Sequence, residues 1–263
     1  MMPAEVPRTK GGIMLVDEGR RWADEYPVKS FDADTGGAAR ASCLFRWMLD
    51  AAWGHVIGTP FGFSELEEKG MLWVLTRFDA RFSRMPRWTE TVRILTWGTG
   101  VERLQALRRF SLSLPDGTPL GEASSAWLII DRSTYRPQKL DGLMRHFPFV
   151  SEDRSGREVL EKLPKPDAAA PDRRLTVSWS DLDVNRHVNS ARYLEWAMDS
   201  APTSLLQAGL CGFRMSFLAE ARLRDEVSVR AVEGEDGTHL CGIRRPSDGA
   251  ELCTARLSWR SPG

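Results

Sequence analysis

The chain has 263 residues, with 36 basic and 36 acidic side chains and a formal net charge of zero. Balanced charge excludes bulk attraction to nucleic acid or an anionic surface, and no apolar run reaches the ~20 residues that a membrane-spanning helix needs. The four cysteines, Cys43, Cys211, Cys241 and Cys253, show no CxxC pairing and no companion histidine at metal-ligand spacing, so reduced thiols in a cytoplasmic protein are expected.

In chain order, the first segment, Met1-Met2-Pro3-Ala4-Glu5, lacks the apolar core of a signal peptide. Ala41, Leu44, Phe45, Met48 and Ala52 then fall on one face at helical period. Strand patterns follow at Thr76 to Ser83, Thr91 to Trp97, Leu104 to Leu114 and Ala123 to Ile130, the last two joined through the turn Pro115-Asp116-Gly117-Thr118. Pro137 to Arg174 carries five prolines and the run Ala168-Ala169-Ala170, which reads as a linker with one short helix around Arg157 to Lys162. A second helical stripe comprises Ser190, Tyr193, Leu194, Ala197 and Ala201, with Pro202 as its stop. Arg214 to Glu220, Val227 to Val232, His239 to Ile243 and Leu252 to Trp259 read as strands, with turns at Asp236-Gly237 and Ser247-Asp248-Gly249. The conspicuous tryptophans Trp47, Trp73, Trp97, Trp127 and Trp196 are expected in the core.

The two helices are copies. An offset of 149 positions matches Asp32 with Asp181, Asp34 with Asp183, Trp47 with Trp196 and Asp50 with Asp199, and carries one apolar stripe onto the other. Each half is a long helix followed by an antiparallel meander. The fold expected is α+β, two tandem hotdog domains in which a sheet wraps a central helix. The boundaries read 1–136, a linker at 137–172, and 173–263.

Between Trp179 and Ser190 two carboxylates, two amides and an imidazole crowd against the start of the second helix. Free N–H groups and the positive end of the helix dipole gather there, favouring developing negative charge. In the first copy Asn185 becomes Gly36 and His187 becomes Ala38, so that copy has lost its reactive groups. Asp181 persists there as Asp32, which marks it as structural. Asn189 or Ser190 is the expected N-cap. Glu220 follows Phe217-Leu218-Ala219, where an unpaired carboxylate is costly and calls for a partner.

Asp181-Leu-Asp-Val-Asn-Arg-His-Val-Asn189, with Tyr193 and Trp196 after it, resembles the signature of acyl-[acyl carrier protein] thioesterases of plants and bacteria. The resemblance extends to Gly70-Met-Leu-Trp73 with Arg77, Arg84-Met-Pro86, Thr96-Trp97, Trp127, Arg136-Pro137 and Glu220. It implies two fused hotdog domains, hydrolysis of fatty acyl thioesters on an acidic carrier protein, and a site of Asp183, Asn185, His187 and Glu220. No cofactor or metal is implied, and none is expected from the sequence, which has no glycine-rich phosphate loop. Family members often carry Cys directly after the position of Glu220; here it is Ala221, which favours water as the nucleophile, with Asp183 or Glu220 as its base. The first half is expected to hold the acyl chain near Met48, Leu49, Met71 or Leu75. An acyl-CoA thioesterase and a non-enzymatic acyl-binding regulator are the alternatives, in a monomer or a homodimer.

Overall fold

The structure is a computed structural model, and it describes residues 14–17, 19–57, 59–140, 147, 149–150, 162–166, 172–234 and 237–260. In the first half, strands β1 (Met14–Val16) and β2 (Arg21–Pro27) precede helix α1 (Ala41–Val56) and a short helix α2 (Phe63–Glu68). Four long strands follow: β3 (Met71–Phe82), β4 (Thr91–Glu102), β5 (Gln105–Ser113) and β6 (Pro119–Asp131). In the second half, β7 (Asp172–Thr176) leads to helix α3 (Ser190–Met198) and a short helix α4 (Thr203–Ala208). Strands β8 (Leu210–Phe217), β9 (Glu226–Glu233), β10 (Thr238–Arg245) and β11 (Ala250–Trp259) complete it.

All eleven strands form one antiparallel sheet in the order β1-β2-β4-β5-β6-β3-β8-β11-β10-β9-β7. Two hotdog halves thus share a sheet, each curled around its own helix. The seam is the pairing of β3 with β8, Arg77 opposite Ser216 through Arg81 opposite Gly212. Glycine is required on that edge, because a Cβ at Gly212 would stand 2.8 Å from the Ala80 carbonyl oxygen. Asp79 and Arg214 face one another across the seam, with Arg214 Nε donating to Asp79 Oδ2 at 2.7 Å.

The core runs through the seam without a break. Phe45 of α1 lies edge-on to Phe78 of β3, with centroids 4.5 Å apart, and 5.5 Å from Phe213 of β8. All three rings are buried, as is the stripe Ala41, Leu44, Phe45, Met48 and Ala52. The alternation that marks half-buried strands is plain in β4, where Val92, Ile94 and Thr96 point inward.

The second helix is shorter than its periodicity predicts. It ends at Met198, where the Ser200 hydroxyl donates to the Ala197 carbonyl at 2.6 Å; Ala201 lies beyond it, and Pro202 caps α4 rather than closing α3. Pieces of the proline-rich segment are packed: Leu140 and Leu163 are buried, and Pro166 covers Gly242 so closely that a Cβ there would meet its ring at 2.8 Å. The short helix expected around Arg157 to Lys162 lies outside the described residues, except Lys162, which is irregular.

Candidate active site

The polar cluster is one of two copies of a single turn. In the second half Asp183 N–H donates to the His187 carbonyl at 2.9 Å, Asn185 N–H to Asp183 Oδ1 at 2.8 Å, and Arg186 sits at φ 64°. In the first half Asp34 N–H donates to the Ala38 carbonyl at 2.7 Å, Gly36 N–H to Asp34 Oδ1 at 2.8 Å, and Gly37 sits at φ 76°. An aspartate side chain bonding the backbone two residues on is an Asx-turn. Asp34 and Asp183 build the same one, and only the second copy carries an amide and an imidazole, Asn185 and His187, on it.

The turn is tied to the strand connection that bears Glu220. Val188 N–H donates to the Ala221 carbonyl at 2.9 Å, and Ala221 N–H donates to the Tyr193 hydroxyl at 3.1 Å. Burial holds the Tyr193 phenol protonated well above its ordinary range. His187 precedes Val188 and Glu220 precedes Ala221, so the clamp sets these side chains against each other, His187 Nε2 at 3.1 Å from Glu220 Oε2. In the first half Ala39 N–H donates to the Pro86 carbonyl at 2.7 Å, which makes Met85 the counterpart of Glu220. The first half therefore has Gly36, Ala38 and Met85 where the second has Asn185, His187 and Glu220. Glu220 is half-buried rather than sunk in the core, and its partner is His187.

Helix α3 starts at this cluster. Asn189 is its N-cap, with Oδ1 accepting from Ala191 N–H at 2.9 Å. Asn189 N–H is itself used on the Asp181 carbonyl at 2.9 Å. With Val188 N–H also bonded, Ser190 N–H is the one donor of Val188 to Ser190 without a partner among the described residues. Asp181 is buried: Oδ2 accepts from Ser178 N–H at 2.8 Å and Oδ1 from Arg192 Nε at 2.8 Å.

A cavity of about 290 Å³ opens on the cluster. Its polar rim is Asp183, Asn185 and Ser190 from the second half, and its walls are mainly apolar side chains of the first half, among them Leu49, Trp53, Leu66, Leu75 and Trp127. His187 and Glu220 pair with each other next to the Asx-turn and are not among the residues lining the cavity. Of the residues expected along an acyl chain, Leu49, Met71 and Leu75 line the cavity, while Met48 is fully buried in the core. Trp73 and Trp127 pack against the core as expected and line the cavity as well; a tunnel lining and a core have the same composition, so periodicity does not separate them. Sequence reasoning also missed Phe61, Phe63, Phe147, Phe149 and Arg108, which line the same space.

None of the thiols is placed to attack. Burial raises the Cys43 and Cys253 thiols and pushes Cys241 up to about 11, and Cys211 lies on β8 away from the cavity. A protonated thiol is a poor nucleophile. Replacing all four cysteines with Ala is expected to leave kcat within about tenfold, a barrier change of ~1.4 kcal/mol. Abolished turnover in a folded quadruple variant would restore a thiol route.

The sequence matches the family model for the acyl-ACP thioesterase N-terminal domain over residues 19–145 and that for the C-terminal domain over 164–261. It is 27% identical to a chloroplastic palmitoyl-acyl carrier protein thioesterase of Gossypium hirsutum over 94% of this chain and 65% of that protein. It is 29% identical to the one of Arabidopsis thaliana over 94% of this chain and 66% of that protein. The chain thus spans just under two thirds of the length of these relatives. Among solved structures, an acyl-ACP thioesterase from Bacteroides thetaiotaomicron superposes with a TM-score of 0.84 at 26% identity, covering 92% of this chain and 99% of that one. A 12:0-ACP thioesterase from Umbellularia californica shares the fold at 21% identity, with a TM-score of 0.79 over 91% of this chain and 97% of that one.

Proposed function

The chain belongs to the acyl-ACP thioesterase family, and from that premise we propose that it hydrolyses fatty acyl thioesters of acyl carrier protein to free fatty acid and carrier. One observation carries the reading: an apolar cavity built by the first half ends on Asp183, Asn185 and Ser190 of the second. An acyl chain laid along the walls brings its thioester carbonyl to that rim.

Thioester hydrolysis needs an activated water, donors for the oxyanion and a proton for the leaving thiolate. Glu220 accepting from His187 Nε2 fixes the tautomer with Nδ1 bare, so the imidazole takes the water proton and returns it to the thiolate, as in a hydrolase triad. Asp183 has one oxygen on the Asn185 N–H and a place on the cavity rim, from which its carboxylate orients the water. The Asn185 amide and Ser190 N–H receive the oxyanion, the latter aided by the positive end of α3. In this division the first half selects the chain and the second performs the reaction. The exposed Arg186, Arg222 and Arg224 lie next to these residues in sequence and form the docking patch for an acidic carrier.

The test is release of free acid by the purified protein from matched acyl-carrier and acyl-CoA substrates. Hydrolysis with preference for the carrier is expected; absence of acid from either rejects the reading. The same assay checks the walls. Burying one methylene is worth about 0.8 kcal/mol, so Leu49→Ala and Leu75→Ala should move the preferred chain by two-carbon steps with little change in kcat. Met48→Ala should instead cost roughly 2–5 kcal/mol of stability and leave the profile in place.

A further inference from the structure

The cavity has one cationic wall. Arg108 of β5 is 8% exposed, and its Nη1 donates to Thr96 Oγ1 at 3.1 Å and lies 3.1 Å from His55 Nδ1. His55, in the last turn of α1, has Nε2 at 3.1 Å from the Gly19 carbonyl oxygen. That carbonyl can only accept, so Nε2 carries the proton and Nδ1 accepts from Arg108. Burial and the adjacent guanidinium push His55 down to about 4, which makes it a neutral neighbour rather than a second charge. Burial lowers Arg108 only to about 10, so it remains a cation at neutral pH.

Nothing among the described residues balances that cation. No carboxylate there pairs with Arg108, and both Nη1 hydrogens are committed, so the Nε and Nη2 donors have no protein acceptor among those residues. Buried charges are paired or costly, and this one borders the proposed acyl space.

Its position is at the remote end. In the sheet β5 lies two places beyond β3, about 10 Å at ~4.8 Å per strand, on the side away from the second half. Arg108 is in register with Gly98 of β4, where Phe147 and Phe149 pack so closely that a Cβ would meet their rings at 2.8 Å and 3.0 Å. Leu75 and Trp127, on the strands between, line the path from the Asp183 rim to this end. An aliphatic chain reaching it would seal the guanidinium from water and offer no acceptor in exchange.

We propose that this end of the cavity recognises a terminal carboxylate, so that the preferred substrate is a thioester of an ω-carboxylated acyl chain. The Nε and Nη2 donors form the side of the guanidinium fork that holds a carboxylate through two parallel bonds. The aromatic wall around Gly98 excludes the water that would weaken the pair. This rests on the acyl-thioester reading and specifies which acyl group it takes.

The experiment compares acyl-carrier thioesters of equal carbon count that end in a methyl or a carboxylate, over a series of lengths, with wild type, Arg108→Met and Arg108→Lys. A site built to bond a polar group rejects the analogue lacking it strongly. At the matching length the wild type is expected to favour the carboxylate-ended chain by about tenfold or more in kcat/KM. Arg108→Met should reverse that ratio while sparing or raising turnover of methyl-ended chains, and Arg108→Lys should keep part of the preference. Preference for methyl-ended chains at every length, or equal losses for both in Arg108→Met, overturns the proposal. Failure to hydrolyse either series would reject the thioesterase reading alone. Calorimetric binding of free diacids against monoacids by wild type and Arg108→Met then decides the carboxylate site, and equal affinity for the two overturns it.

Discussion

Asn185→Ala, His187→Ala, Asp183→Asn and Glu220→Gln are each expected to lower kcat by about 10² or more in a protein that remains folded. Losing one oxyanion donor costs roughly 2.7–4 kcal/mol in a preorganised site, which is the loss expected for Asn185. Its side chain makes no hydrogen bond among the described residues, so truncation removes chemistry without unpairing anything. Glu220→Gln keeps the shape of the pair with His187 but removes the charge that supports an imidazolium. Asp183→Asn retains an Oδ1 acceptor for the Asn185 N–H, so the turn survives and the loss reports the carboxylate itself. Steady-state kcat with circular dichroism and melting of each variant is the measurement. Near-wild-type kcat/KM in both Asn185→Ala and His187→Ala would place the reaction elsewhere.

Asp181→Asn is expected to act on stability instead. Asp181 is buried, holds Ser178 N–H and receives Arg192, so neutralising it leaves part of that network unanswered. Breaking a buried charge pair by removing one partner costs about 3–5 kcal/mol; the half-exposed Arg192 recovers some hydration, so about 2–3 kcal/mol is expected. At ~2–4 °C per kcal/mol for a domain of this size, Tm should fall by roughly 4–12 °C. The fraction that stays folded should keep kcat close to wild type. A drop in kcat as deep as that of His187→Ala, with Tm unchanged, would make Asp181 part of the reaction.

The fold was legible because it is written twice: the Asp, Trp and apolar matches between the halves survive as superposable turns and helices. What sequence left out follows from physical causes. Arg21–Pro27 reads as polar and ends in proline, yet it pairs with β4 because that strand needs a neighbour. Met71 to Leu75 does not alternate in polarity, since Met71, Leu72, Trp73 and Leu75 all line the cavity and Met71 and Trp73 also pack against a small core with Leu66 and Ile129. Within the candidate site, the cluster of Asp183, Asn185 and His187 was visible from spacing alone. Its dependence on Tyr193 and Ala221 was not, because a side-chain hydroxyl meeting a backbone N–H 28 residues away leaves no periodic mark. The burial of Arg108 on β5 leaves no mark of that kind either: the sequence does not show which face of a long strand a helix will cover.

The seam between β3 and β8 also orders the events of folding. Asp79 and Arg214 meet across it from positions 135 residues apart, and closing a loop grows costlier with its length, as about (3/2)RT ln n. Each half has hairpins and a helix made from near neighbours, so these are expected to form first and the seam to close last. Until then each half exposes a bare strand edge, the template on which chains stick to one another. A covalent tether keeps the correct partner edge at high effective concentration. Severing the chain between Leu140 and Leu163 therefore converts an intramolecular zipper into a second-order search, whose yield on refolding falls with dilution.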